Sequence, residues 1–126
     1  MVFVAGCAGD SPTSPTSADL DGVWRIISIQ PATESVQLAP VGALYQMTFD
    51  DGRATVRVDC NVCTGGFTSD GNTLTVGPQL ACTRAACETA SYESAVLTLL
   101  SGDHQYATTL HNLTLTSSRG TVLLQR

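Results

Sequence analysis

The strongest constraint on the fold is a set of short runs in which apolar and polar residues alternate, each ending at a turn signal. In YQMTF at 45–49, Tyr45, Met47 and Phe49 fall on one side of an extended chain, and Gln46 and Thr48 on the other. Asp51-Gly52 follows, and glycine accepts the positive φ that tight hairpin turns require. The return run puts Ala54, Val56, Val58 and Cys60 on one face, with Thr55, Arg57 and Asp59 opposite. Phe67, Leu74 and Val76 flank a second turn at Ser69-Asp70-Gly71-Asn72. Leu113 and Leu115 precede a third at Arg119-Gly120, with Val122 and Leu124 after it. Val23 to Ile29, containing Trp24, is an apolar-rich first strand. A period of two repeated across such short segments commits the chain to antiparallel sheet.

One segment has a different period. Between Glu88 and Leu100 there is no Gly or Pro, and Tyr92, Ala95, Val96, Leu99 and Leu100 recur at spacings of three and four. This predicts a helix with one apolar stripe, with Glu88 in the first turn, where it suits the helix dipole, and Ser101-Gly102 as the C-cap. The plan is mainly β: five or six strands, one helix, then three strands. Short meander connections favour a small, strongly curved antiparallel sheet or open barrel covered by the single α-helix. At 126 residues the chain fits one domain, placed at residues 20–126.

Charge narrows the function classes. Eleven acidic residues face six basic ones, and all six are arginine. Without lysine there is no Schiff base and no P-loop. Without a basic patch, nucleic acid is a poor partner.

The N-terminal residues read as an address. Val4-Ala5-Gly6-Cys7 has the form of a lipobox, in which small residues precede a cysteine whose thiol accepts a diacylglyceryl group. Residues 1–7 are expected to be the end of a truncated signal segment, because a working h-region needs about 7–15 apolar residues. Residues 8–19 have the Ser/Thr/Pro composition of a flexible tether. Acylation at Cys7 with two or three chains would anchor the protein stably in a membrane. Ala8, in place of Asp, permits an outer-membrane destination.

The other four cysteines read C-x2-C-x18-C-x4-C in DCNVCTGGF at 59–67 and ACTRAACE at 81–88. A zinc site of four thiolates and paired disulfides both suit that spacing. Export into an oxidising space favours disulfides among Cys60, Cys63, Cys82 and Cys87. Four cysteines allow three pairings, which spacing does not choose between. The expected arrangement is nested, Cys60 with Cys87 and Cys63 with Cys82. Cys60 continues the inward alternation of its strand, so a buried bridge is expected there. Thr64-Gly65-Gly66 reads as a bulge or turn.

The chain resembles the META domain family, which includes the HslJ-like bacterial envelope lipoproteins. The resemblance covers about residues 20–126. It rests on the ordered set Trp24, Phe49, Cys60-Asn61, Gly66-Phe67, Leu74, Thr83 to Cys87, Glu93, Val96, Leu100-Ser101-Gly102, Tyr106, Leu113 and Leu115. It implies a lipocalin-like barrel and a stress-associated envelope protein with no established catalytic residues. Ala85 replaces the family's usual Met, and Val58-Asp59 stands where a Gly is expected before the Cys-Asn pair. Cys63 and Cys82 are additional to the family's two cysteines, which supports a second bridge.

No catalytic motif stands out. His104 and His111 read as surface histidines without acidic neighbours at metal-ligand spacing. Asp50 and Asp51 read as turn residues, and Asp59 as a solvated charge on a strand. Asn61 reads as a turn residue bonding its own backbone. Neither enzyme activity nor a cofactor or metal is expected. The expected protein is a monomeric, lipid-anchored envelope domain that binds a partner protein or envelope component. A carrier of small hydrophobic ligands in a barrel cavity is one alternative, and large side chains meeting at the centre would exclude it. A secreted protease inhibitor is another, because residues 77–87 form a disulfide-held loop.

Overall fold

The structure, a computed structural model, describes residues 20–126. The expected signal segment 1–7 with Cys7, and the expected tether 8–19, lie outside the described residues. Ten strands and one helix follow in the order β1 (Gly22–Pro31), β2 (Gln37–Leu38), β3 (Tyr45–Asp50), β4 (Arg53–Val58), β5 (Asn61–Asp70), β6 (Thr73–Val76), β7 (Ala81–Cys82), α1 (Ala90–Leu100), β8 (Gly102–Thr108), β9 (Asn112–Ser117) and β10 (Gly120–Gln125). Each alternating run forms the strand its period predicts. Seven strands precede the helix rather than five or six, because the two-residue pieces β2 and β7 carry no pattern long enough to detect.

Eight strands pair antiparallel in the sequence β1-β3-β4-β5-β6-β8-β9-β10, and β10 pairs back onto β1 from Arg25↔Gln125 to Pro31↔Gly120. The expected open or curved sheet is therefore a closed barrel, and closure removes the unpaired edges an open sheet would expose. β7 lies off this path and pairs only with β5. In the β3–β4 hairpin, Asp51 and Gly52 both have positive φ (51° and 78°), which matches the twist of the flanking strands.

The run Thr64-Gly65-Gly66 is continuous strand within β5, not a bulge or turn. Glycine is used at position 65 for close approach: a Cβ there would meet the Gln79 carbonyl oxygen at 2.7 Å and Leu80 Cδ2 at 2.8 Å. The segment leading to β7 can therefore pass directly over the strand.

The helix begins at Ala90, two residues later than the sequence pattern suggests, and Glu93 rather than Glu88 is the acid of its first turn. Its apolar stripe buries Tyr92, Val96, Leu99 and Leu100. The helix packs on β1 and β10. Tyr92 meets Tyr45 edge-on at 5.0 Å, at the start of β3. Those contacts place α1 across one end of the barrel. At the other end the Trp24 indole donates to the Leu20 carbonyl at 2.7 Å, and the Arg126 guanidinium stacks 4.2 Å above its ring. Between the two ends, Trp24, Tyr45, Met47, Phe49, Leu74 and Leu115 belong to one continuous buried cluster. Among the described residues, large side chains meet in the interior, the arrangement expected to disfavour a carried ligand.

His104 is buried, contrary to its reading as a surface residue, and its Nε2 lies 2.7 Å from the Leu100 carbonyl oxygen. It shares the inward parity of β8 with Tyr106, while Asp103 and Gln105 face out. His111 is exposed, as expected.

Candidate functional site

The densest polar construction in the described residues sits at the helix end of the barrel, around residues 82–89. It starts from the β4–β5 hairpin. The sequence pattern carries β4 through Cys60, but the strand stops at Val58. Asp59 and Cys60 form the turn, with Asp59 at φ 59°. Cys60 is consequently exposed rather than core-facing. The apolar alternation counts Cys60 as one more inward residue, and the turn breaks that parity.

The cysteines pair Cys60–Cys87 and Cys63–Cys82, the nested arrangement. The two bridges differ in environment. Cys63 is fully buried and its bridge lies across the β5–β7 pair, whereas Cys60–Cys87 ties the exposed turn to the segment entering α1. Between Cys82 and Cys87 run Thr83, Arg84, Ala85 and Ala86, all four exposed and outside regular secondary structure.

Asn61 organises this segment from beneath. It is buried at the first position of β5. Its Oδ1 accepts from the Ala85 backbone N–H at 2.8 Å and from Thr83 Oγ1 at 2.9 Å. Its Nδ2 donates to the Ala85 carbonyl at 2.9 Å and to Glu93 Oε2 at 3.0 Å, with Cys87 Sγ at 3.3 Å. Asn61 therefore does not close a local turn, as the sequence suggests. It reaches 22 to 32 residues along the chain and holds both backbone polar groups of Ala85. Thr83 adds two links to β5: its Oγ1 accepts from the Val62 N–H at 2.9 Å, and its own N–H donates to the Val62 carbonyl at 3.0 Å.

A second link joins the turn to the helix entrance. Asp59 is not a free solvated charge: its Oδ2 accepts from Thr89 Oγ1 at 2.6 Å and from the Thr89 N–H at 3.1 Å. Thr89 occupies the N-cap position without capping through its own side chain, and the Asp59 carboxylate anchors that residue at the positive end of the helix. Tyr45 Oη lies 2.7 Å from Thr89 Oγ1. Burial raises the Tyr45 phenol above its ordinary range, against the lowering effect of the Thr89 hydrogen bond, and Asp59 and Glu93 push in the same direction as burial. Tyr92 is pushed up to about 12, mainly by burial. Both phenols therefore stay neutral at physiological pH, and Tyr92 donates to the Gln37 carbonyl at 3.1 Å.

The other expected motif residues have packing roles. Trp24 closes the far end of the barrel, as described. Gly66 pairs with Arg53 in the β4–β5 ladder. Phe67 meets Phe49 edge-on at 4.8 Å. Among the described residues no cluster of three or more His, Cys, Asp or Glu side chains is arranged to hold a metal. Sequence reasoning missed Asp59, Thr89 and Arg119. Arg119 donates to the Ser101 carbonyl at 2.7 Å, securing the helix exit from the β9–β10 turn. No local pattern announces contacts of that length.

The fold and this site define a class: a small, filled, lipocalin-like barrel of eight antiparallel strands, with a disulfide-clamped segment and one helix at a single end. The META domain pattern matches residues 18–126, and the chain belongs to the META domain family. A solved protein from Burkholderia xenovorans is similar, with a TM-score of 0.71, 22% identity, and 87% of this chain and 85% of that one covered. A second solved structure has a TM-score of 0.68 at 17% identity, covering 88% of this chain and 94% of the other. A lipocalin-like protein from Bacteroides uniformis has a TM-score of 0.60 at 12% identity, covering 86% of this chain and 98% of that one. At these identities the likeness is one of fold. No curated protein matches the chain.

Proposed function

We propose that this chain is a non-enzymatic META domain of the bacterial envelope, stress-associated, anchored by acyl chains on Cys7, and acting by contact with a partner through its outer surface. One observation carries the reading: four of the five cysteines are consumed in two bridges of the folded domain, which leaves Cys7 as the single thiol. Paired disulfides belong to an oxidising compartment. A lone remaining cysteine after Val4-Ala5-Gly6 has the local lipobox form that supports acylation. Family membership supports the envelope assignment and the stress association. The packed interior favours surface contact over carriage of a hydrophobic ligand.

The test is native expression in a bacterium, with fractionation and mass spectrometry of the peptide that begins at Cys7. A diacylglyceryl mass on Cys7, membrane recovery of the wild type and soluble recovery of Cys7→Ala are the expected results. Cytosolic, unacylated protein with four reduced thiols would overturn the reading.

A further inference from the structure

We propose that Cys82–Cys87 is a substrate-like inhibitory loop for trypsin-type serine proteases, with Arg84 as the side chain that enters the protease's specificity pocket. The inference holds whether or not Cys7 is acylated.

Such an inhibitor must present an exposed, extended segment that is already in its bound shape and stays in place if cut, because binding then costs little ordering entropy. Residues 83–86 are exposed and outside regular secondary structure, and the rest of the domain holds the segment in place. Both ends are covalently fixed, Cys82 to Cys63 and Cys87 to Cys60. The N–H and C=O of Ala85, immediately after Arg84, are both held by Asn61. The Arg84 side chain is exposed and makes no hydrogen bond or ion pair among the described residues. Thr83 N–H bonds the Val62 carbonyl next to the Cys63↔Cys82 position of the β5–β7 ladder, so it is Thr83 whose backbone turns toward β5. By the alternation of antiparallel ladders, Cys82 is then in a non-hydrogen-bonded pair, and its own N–H and C=O point away from β5. They remain available to an incoming strand two residues before Arg84, which is the β-addition mode of peptide recognition. A guanidinium is the group an acidic specificity pocket selects.

The chemistry balances without any further reagent. The protease serine Oγ adds to the Arg84 carbonyl carbon, and its proton passes through the protease histidine to the Ala85 nitrogen. The Arg84–Ala85 C–N bond breaks to leave an ester and an amine. Asn61 and the Cys60–Cys87 bridge keep that amine beside the ester. The reverse attack re-forms the peptide bond and frees the serine, so the loop occupies the protease instead of leaving as product.

The experiment is inhibition of trypsin by the oxidised full chain, read with a chromogenic arginine substrate and followed by mass spectrometry of the chain. Saturable inhibition is expected, with the chain largely intact. Arg84→Ala, at an exposed position, should weaken inhibition at least about 30-fold, the lower range for losing a buried anchor residue. Arg84→Lys should retain it, and Arg84→Phe should transfer it to chymotrypsin. Asn61→Ala should turn the loop toward a cleaved substrate, with the new ends at Arg84 and Ala85. Absence of inhibition by the folded, oxidised chain would overturn the proposal. So would inhibition unchanged in Arg84→Ala, or cleavage after Arg84 at the rate of an ordinary substrate.

Discussion

Replacing Asn61 with alanine tests whether one side chain sets the conformation of the clamped segment. The amide has two donor hydrogens and one oxygen, and four short bonds are made: to the Ala85 carbonyl, Glu93 Oε2, Thr83 Oγ1 and the Ala85 N–H, all between 2.8 and 3.0 Å. A net contribution of roughly 1 kcal/mol per bond, somewhat more for the one to a carboxylate, gives about 4 kcal/mol. Water replaces part of this, because Ala85 is exposed and Glu93 half-buried, so a loss of about 3 kcal/mol is expected. The assay is urea unfolding followed by far-UV circular dichroism at 25 °C, with both disulfides intact in wild type and variant so that the unfolded states are equally constrained. Asn61→Asp is the sharper companion. It keeps the two accepting contacts but sets a carboxylate where the amide now donates to Glu93, and it should cost at least as much. Adding Glu93→Gln should restore part of the loss, because the new amide can donate to the introduced carboxylate. A loss below about 1 kcal/mol for Asn61→Ala, or no rescue by Glu93→Gln, would refute the reasoning.

Two other perturbations follow from burial. Under graded reduction Cys60–Cys87 should open before Cys63–Cys82, because Cys60 is exposed and Cys63 fully buried. Alkylation and peptide mapping should find label first at Cys60 and Cys87, and removing either bridge as an Ala pair should cost about 3 kcal/mol. For His104, burial disfavours the charged ring, with Arg119 adding to the effect against the Leu100 hydrogen bond, so its folded pKa lies below 6.5. The unfolded chain then binds the proton first, and stability present above pH 6.5 is lost as pH falls from there. His104→Gln should flatten that acid limb in unfolding titrations run from neutral to mildly acidic pH.

The strands and hairpins are legible in the sequence because their signal is local: alternation along one run and a Gly-containing turn at its end. The helix is legible from Tyr92, Val96, Leu99 and Leu100 for the same reason. What escapes is non-local or depends on parity across a turn. Extending the β4 alternation places Cys60 inward, one step too far, through a turn that only the positive φ of Asp59 reveals. The burial of His104 follows from the same period of two, with Tyr106 as its inward neighbour, once β8 is known to start at Gly102. Closure of the sheet rests on β1 pairing with β10 from the far end of the sequence, and Asn61 finds its partners in a segment that no pattern in residues 59–67 describes. That the two cysteine-bearing stretches are joined is legible, but nested and crossed pairings join them equally, and it is the Cys63↔Cys82 register of β5 and β7 that selects the nested one.

Structural constraint is unevenly distributed in this molecule. The barrel closes through eight strands without β7, so ladder pairing does not require residues 77–89 to take any particular path. Its interior is also committed: with Trp24, Tyr45 and Phe49 fully buried, admitting a ligand means displacing aromatic side chains whose removal costs about 3–5 kcal/mol each. Yet both disulfides, three of the four short hydrogen bonds of Asn61 and the Asp59–Thr89 link converge on that one connection. Constraint beyond what the barrel needs fixes a shape, and the shape it fixes is an exposed backbone carrying Arg84. A segment held this firmly supplies the rigidity on which the inhibitory role proposed for Arg84 depends.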